Sequence, residues 1–200
     1  MLFRSTGVKT LRFDRRWLLS LALAVSAPAW ALDLATITGL LAQRKGGEAR
    51  FTEERFVSGI DGPLRAAGVL SFAAPDHFAR ITTEPRAESM AVEGNQLVLK
   101  RGGRTRQMAL DALPEVTALI EAVRGTLTGN ASTLERHFLV QVDGTAARWT
   151  LTLTPRDRRL ATQVRELKIT GAGSDLRVVE LWLAGGDRSV MSIEPLQVSK

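Results

Sequence analysis

The sequence contains no cysteine. A chain without cysteine forms no disulfide, so its folded state depends on its hydrophobic core. It also lacks the residue to which bacterial lipid anchors are attached, because that attachment uses a cysteine at the cleavage point. We therefore expect a protein that diffuses freely unless a partner holds it.

Histidine is almost as scarce, with only His77 and His137 in the whole chain. His77 follows Asp76 in a predicted turn and His137 precedes a predicted strand, so neither has the neighbours of a metal ligand or a catalytic triad. The adjacent carboxylates Glu53 and Glu54 point to opposite faces of a strand and do not form a catalytic pair. We expect no enzyme activity, no metal and no cofactor.

No apolar run reaches the ~20 residues that span a bilayer. The N-terminal segment has five basic residues, then the apolar run Trp17–Val25, then the small-residue site Ala29-Trp30-Ala31. This pattern predicts a secretory signal peptide cleaved before Leu32, with a retained anchor as the alternative. The pair Arg15-Arg16 leaves twin-arginine export open beside the general route.

Excess positive charge is small once the signal is removed. Residues 1–31 hold five basic residues and Asp14, which is four of the six net positive charges, so about +2 remains. The sequence has no helix-turn-helix, zinc-finger or aromatic RNA-binding pattern. We therefore expect no binding to nucleic acid.

Residues 32–200 contain no repeat or linker-like stretch and predict a single domain. Leu34–Arg44 has helical spacing of its apolar residues and is followed by two glycines. Short alternating runs separated by turns fill Glu48–Leu110, which is typical of an antiparallel meander. This first half predicts one helix followed by a sheet.

Helical spacing returns in the middle of the chain. Pro114 suits a first helical turn, and Gly125 is the expected end of that helix. Ser132 and Glu135 have the spacing of a capping box, which predicts a second short helix beginning at Ser132. Alternating strands resume at Phe138 and continue to the C-terminal region.

About eleven strands are predicted in all. A sheet of that many twisted strands curls, and near closure hides its edges and creates an apolar concave face. The short helices are available to cover that face. The expected fold is mainly β with helices (α+β), an incomplete antiparallel β-barrel of about eleven strands under a short helical lid.

At this point the chain resembles the LolA-type lipoprotein carriers of Gram-negative bacteria, over most of the predicted mature sequence. The likeness lies in the order and spacing of short segments rather than in one strong motif. The matching segments, in chain order, are Ala49–Glu53, Gly68 with Leu70, Pro75 with Phe78, Glu84-Pro85, Glu88–Met90 and Glu93–Leu97.

The resemblance implies a periplasmic carrier. Its apolar cavity would receive the acyl chains of lipoproteins from an inner-membrane transporter and pass them to an outer-membrane acceptor, and we expect it to be a monomer. One alternative is a related carrier of another acylated cargo, such as a glycolipid or a lipid-linked pigment. Another is a periplasmic adaptor that senses lipoproteins, although such proteins usually have an additional domain, which we do not expect here.

Three positions depart from the family pattern. Ala74 stands where the carriers of the best-known type have an arginine that helps to hold the lid shut. Arg80 replaces a tryptophan, and Glu53 replaces a glutamine. These differences leave the lid contact and the cargo open.

Under this resemblance the alternating apolar residues predict the acyl-chain cavity, with an ordinary packed core as the alternative for each of them. Met90, Met108 and Met191 suit an adaptable cavity, although methionine also fills ordinary cores. The predicted cavity residues are Leu70, Phe72, Met90, Val92, Leu97, Leu99, Phe138, Val140, Trp149, Leu151 and Leu153.

The apolar faces of the predicted helices form the candidate lid, with permanent packing on the sheet as the alternative. The lid candidates are Ile37, Leu40, Leu41, Val116, Leu119, Ile120 and Val123. Basic residues concentrate in one predicted hairpin, where they can dock an acidic transporter surface or lipid headgroups, or simply be solvated. The docking candidates are Arg101, Arg104 and Arg106.

Overall fold

The computed structural model describes residues 32–196, so the predicted signal peptide lies outside the described residues. Within this range the chain forms eleven β-strands in one antiparallel sheet. In chain order the strands are β1 (Gly46–Phe56), β2 (Leu64–Ala73), β3 (His77–Glu84), β4 (Glu88–Glu93), β5 (Gln96–Arg101), β6 (Arg104–Ala109), β7 (Phe138–Thr145), β8 (Arg148–Pro155), β9 (Val164–Ala172), β10 (Asp175–Leu183) and β11 (Arg188–Pro195).

The strand order is β6-β5-β4-β3-β2-β1-β11-β10-β9-β8-β7. Strands β1 to β6 and β7 to β11 each form a meander, and the two meanders join where β1 pairs with β11, with Phe51 opposite Ile193. Strands β6 and β7 are the edges, so the sheet is not closed. The prediction of an incomplete eleven-stranded antiparallel barrel is confirmed.

Four helices accompany the sheet: α1 (Leu34–Leu41), α2 (Pro114–Thr128), α3 (Ala131–His137) and α4 (Arg158–Ala161). The Asp33 side chain caps α1 by accepting a hydrogen bond from the backbone N–H of Thr36 at 2.7 Å. Helices α1, α2 and α3 contact one another, and α1 and α3 also contact β7. None of the helices in the described range is long and apolar enough to cross a membrane.

Two helix boundaries differ from the sequence-based prediction. Helix α2 does not end at Gly125 but continues to Thr128 and stops at Gly129, whose φ of 67° is left-handed. At Gly125 a Cβ atom would lie 3.1 Å from Leu134, so this glycine allows α3 to pack closely against α2. Helix α3 begins earlier than the predicted Ser132, because the Asn130 side chain caps it.

Two clusters of buried apolar residues hold the helices on the sheet. The larger joins α1, α2 and α3 to strands β7, β8 and β9, and its largest member, Trp149, donates its indole N–H to the carbonyl of Gly173 at 2.9 Å. The smaller joins Ile120 of α2 and Leu110 to β4 and β5. The two clusters therefore fill the space between the helices and the two end regions of the sheet. Neither cluster fills the space over the central strands.

Candidate functional site

A cavity of about 640 Å³ lies between α2 and the concave face of the central strands. This volume falls within the range of about 300–1,000 Å³ that is typical of small-molecule sites. Leu119, Val123 and Leu127 of α2 form one side of the cavity. The apolar wall of the sheet consists mainly of Leu70, Phe72, Phe78, Met90, Leu167, Ile169, Leu176, Val179, Leu181, Leu183, Met191 and Ile193.

Small side chains on the central strands keep this space open. Ala49, Ser71 and Ser189 face the cavity from β1, β2 and β11. Gly68 on β2 has no room for a side chain, because a Cβ atom there would lie 1.9 Å from the carbonyl oxygen of Ile81. Large side chains are therefore supplied by the flanking strands and by α2, and the middle of the face stays unfilled.

A charged network crosses the apolar wall. The Glu53 carboxylate, only 5% exposed, accepts hydrogen bonds from Arg80 on β3 and from Ser189 on β11, each at 2.5 Å. Arg55 lies 3.4 Å from the same carboxylate. Arg80 reaches β1 over β2 because Gly68 presents no side chain between them. The glutamate and the arginine that depart from the family pattern are therefore partners.

The network changes the acidity of Glu53. Burial by itself raises the pKa of a carboxyl group, because the charged form loses its hydration. The hydrogen bond from Ser189 and the positive charge of Arg80 outweigh this effect, so the pKa of Glu53 lies below its ordinary value of 4.5. Glu53 is thus an ionised carboxylate at neutral pH, inside a mostly apolar cavity.

This lowered pKa predicts a specific pH dependence. A carboxylate whose folded-state pKa is depressed stabilises the fold above its unfolded pKa, and that contribution is lost as the pH falls through the folded-state pKa. Between about pH 5 and pH 3, we expect the melting temperature of the wild type to fall more steeply than that of Glu53→Gln. Thermal unfolding followed by circular dichroism measures the difference.

The matched control for this experiment is Glu54→Gln. Glu54 is adjacent, points to the opposite face of β1 and pairs with the exposed Arg65. The pH curve of this variant is expected to follow that of the wild type. Parallel curves for the wild type and Glu53→Gln would contradict the role of Glu53.

One arginine ties α2 to the strand turns beside the cavity. Arg124 donates a hydrogen bond from Nη2 to the carbonyl of Gly94 at 2.8 Å and a longer one to the carbonyl of Asp76 at 3.5 Å. Glu121, one turn earlier on α2, orients it through a 2.7 Å ion pair. Helix α2, which covers the cavity, is therefore attached to the strand turns by one of its own side chains. Ala74, which stands where the best-known carriers have an arginine, has no charged side chain to add to this attachment.

We expect Arg124→Ala to loosen α2. Charged hydrogen bonds contribute about 1.5–3 kcal/mol, so amide exchange in 114–128 should accelerate about tenfold or more. Hydrogen-exchange mass spectrometry measures these rates. The control is Arg136→Ala, at an exposed position of α3. Equal exchange rates in the two variants would contradict the role of Arg124 in holding α2 on the strand turns.

The structure divides the predicted cavity residues into three groups. Leu70, Phe72 and Met90 line the cavity. Val92 and Leu97 lie in the smaller cluster, with Leu99 packed against it. The remaining five lie in or against the larger cluster, where residues of α1, α2 and α3 pack on those of β7, β8 and β9; they are Phe138, Val140, Trp149, Leu151 and Leu153.

The predicted lid residues also separate. Leu119 and Val123 face the cavity, and Ile120 belongs to the smaller cluster. Val116 is 37% exposed. From α1, Ile37 and Leu41 are buried in the larger cluster and Leu40 packs against it, so α1 is held on the packed end of the sheet.

The predicted docking arginines lie on the hairpin of β5 and β6, at one edge of the sheet. Arg104 and Arg106 are exposed, and Arg101 lies 3.4 Å from Glu88 on the neighbouring strand β4. Met108 packs against the smaller cluster, whereas Met191 lines the cavity.

Several cavity residues were not predicted from the sequence. Val179, Leu181 and Leu183 alternate along β10, so the pattern itself was present, and only their assignment to the cavity was missing. Leu127 lay beyond the predicted end of α2. Arg80 was identified as a departure from the family pattern but not as a group inside the cavity.

Comparison with known proteins places the chain in a family. The family model described as outer membrane lipoprotein carrier protein LolA-like matches residues 26–191. An outer-membrane lipoprotein carrier protein from Methylibium petroleiphilum is 30% identical over 183 residues, which cover 90% of this chain and 85% of that protein.

Solved structures give more distant likenesses. A LolA superfamily protein from Nitrosomonas europaea is 10% identical, with a TM-score of 0.44 over 85% of this chain and 96% of that chain. A chain of the Pseudomonas aeruginosa MucA/MucB complex is 14% identical, with a TM-score of 0.36 over 84% of this chain and 59% of that chain. The family model and the 30% identical relative show that the chain belongs to the LolA-like outer membrane lipoprotein carrier family.

Proposed function

We propose that this chain is a periplasmic carrier that shelters the acyl chains of a lipoprotein and shuttles them from the inner to the outer membrane. The observation that carries the proposal is the apolar cavity between α2 and the concave face of the sheet. Family membership supports the lipoprotein as cargo. The proposal involves no chemical step and no cofactor.

Burial of the acyl chain supplies the affinity. Each methylene group removed from water contributes roughly 0.8 kcal/mol, so one long chain binds firmly without directional contacts. Release then requires α2 to move away from the strands. On the side of the strand turns, α2 is joined to the sheet by the polar contacts of Arg124 and by the small apolar cluster around Ile120. These are the contacts that must loosen when α2 moves.

The basic hairpin of β5 and β6 is the proposed docking surface for the inner-membrane transporter and the outer-membrane acceptor. Arg101, Arg104 and Arg106 project from an edge of the sheet, where an acidic surface can approach them. Attraction between exposed charges weakens with salt. A carrier that uses this surface should load faster at low ionic strength.

A second cargo class is favoured by one observation. A group of the size of a water molecule takes roughly 30 Å³, so the cavity of about 640 Å³ corresponds to about twenty groups of that size. That is one long acyl chain rather than several. The volume therefore supports a carrier of another acylated lipid as the alternative to a lipoprotein, while the sensing adaptor stays a prediction.

The test is to purify the protein from the periplasm of its native cells after expression with its own N-terminal segment. We expect native mass spectrometry to detect a bound acylated molecule, whose identity decides between the two cargo classes. Val179→Glu, prepared in parallel, should be recovered without it. Wild-type protein that is consistently free of lipid, even when the lysate is supplied with membranes, would contradict the proposal.

A further inference from the structure

The wall of the cavity carries more positive than negative charge at one place on its central strands. Arg55 and Arg80 both line the cavity, and both contact the carboxylate of Glu53. Ser189, which also donates to this carboxylate, is neutral. Within this network two guanidinium groups share one carboxylate, so one positive charge is left uncompensated.

Arg80 is held in a fixed position, and most of its N–H donors are not used by the protein. Its guanidinium carbon lies 4.6 Å from the centroid of the Phe51 ring, and its Nη2 lies 2.5 Å from Glu53. A guanidinium group has five N–H donors, and among the described residues 32–196 Arg80 donates only to Glu53. Its side chain is 19% exposed and lines the cavity, so its other donors are open to an acceptor that enters there.

Two other arginines of the cavity wall are engaged elsewhere. Arg44 forms an ion pair with Asp175. The guanidinium group of Arg188 stacks on Phe56 and Trp182, at 4.8 Å from each ring centroid. Arg55 and Arg80 are therefore the cavity arginines that share the Glu53 carboxylate, and the excess positive charge of that network lies on them.

We propose that the cavity binds a single-chain amphiphile that ends in an anionic oxygen group, a carboxylate or a phosphate. The anionic group lies at Arg80 and Arg55, and the chain lies against Leu167, Val179 and Leu181, which line the cavity from β9 and β10. Hydrogen bonds between ionised partners are about twice as strong as neutral ones, and the apolar surroundings strengthen them further. This inference rests on the proposed acyl-carrier function and selects a cargo within it.

The experiment compares four ligands that share a sixteen-carbon chain and differ only in the head group. Hexadecanoic acid and hexadecyl phosphate carry an anion, hexadecanol is neutral, and hexadecylamine is a cation. Their affinities for delipidated protein are measured by displacement of a fluorescent acyl probe at pH 7.5. We expect at least one of the two anionic ligands to bind tenfold or more tightly than hexadecanol, and hexadecylamine to bind most weakly. The ranking of the acid against the phosphate identifies the source of the anionic group.

Variants connect the preference to the network. The double variant Glu53→Gln, Arg80→Gln removes both charges of this pair, so Glu53 is not left without its partner. It should bind hexadecanol like the wild type and lose most of the anionic preference, because the charge that remains, on Arg55, is 54% exposed and therefore contributes little. Glu53→Gln alone leaves both arginines and should strengthen the preference several-fold. Arg165→Gln, which removes an arginine that stacks on Trp182 outside the cavity lining, is the control and should change nothing.

The outcomes separate this inference from the function on which it rests. Failure of all four ligands to bind the wild type would contradict the acyl-carrier function itself. Equal binding of hexadecanol and both anions would contradict only the anionic site. A loss of affinity for hexadecanol equal to that for the anions in the double variant would show that the network maintains the wall rather than recognises a head group, and would also overturn the inference.

Discussion

Replacing Val179 by glutamate is expected to abolish acyl binding while the fold is retained. Val179 faces the cavity from β10, opposite Ile169 of β9 and Met191 of β11, which also line the cavity. An ionised carboxylate at this point remains hydrated in the empty protein but loses its water when an acyl chain enters. Burial of a polar group without a partner costs on the order of 1–3 kcal/mol, and more for a charge, so affinity should fall at least a hundredfold. Displacement of a fluorescent acyl probe measures the loss.

The neighbouring residue provides a matched control. Val178 pairs with Thr170 and Ser192 and points to the opposite face of β10. Val178→Glu introduces the same charge one residue away and should bind the probe like the wild type. Circular dichroism should show the same strand content for both variants. Wild-type affinity in Val179→Glu would place the acyl site elsewhere.

Truncation of Leu151 is expected to have the largest effect on stability. Leu151 is 0% exposed and packs in the larger cluster with residues of β7, β8 and the helices above them. A buried leucine replaced by alanine loses its transfer free energy and leaves a cavity, at a cost of about 2–5 kcal/mol. Chemical denaturation should show a reduced free energy of unfolding of that size, with acyl affinity unchanged at temperatures where the variant stays folded.

Leu139→Ala is the comparison for this truncation. Leu139 is 52% exposed on β7, the edge strand that pairs with β8. Its removal leaves no internal cavity, so the free energy of unfolding should change by less than about 0.5 kcal/mol. If Leu151→Ala reduced acyl affinity without changing stability, the assignment of Leu151 to the packed core would be wrong.

The number of strands and their apolar faces followed from the sequence because these features depend on local alternation. In Trp149, Leu151 and Leu153 the side chains alternate with Thr150 and Thr152, and this alone identifies a strand with one buried face. Alternation does not reveal what covers that face. Leu70 and Leu151 have the same pattern, yet one lines the cavity and the other lies under packed helices.

The polar network of the cavity depends on strand pairing and so could not be derived from spacing. Glu53 and Arg80 lie 27 residues apart, on strands separated by β2. Their contact requires the register that places Gly68 between them. From the sequence, each of these two residues was recognised only as a departure from the family pattern at its own position. Only the register makes them partners.

Gly125 illustrates how one residue type supports two interpretations. A glycine after an apolar helical segment usually marks its end, and the sequence contains two such glycines, at 125 and 129. The first permits the close approach of Leu134, and only the second adopts the left-handed conformation. The difference depends on tertiary packing, which a local pattern does not contain.

The pairing of β1 with β11 has a consequence for biogenesis. The first and last strands meet at the centre of the sheet, so the seam between the two meanders joins residues separated by almost the whole chain, such as Phe51 and Ile193. Contacts of such high sequence separation form slowly, because the entropy of closing the intervening loop is lost before they contribute. While the chain emerges vectorially, each meander can form from neighbouring hairpins, but the seam must wait for the last strand. Folding of the whole sheet is therefore completed only after the last strand becomes available.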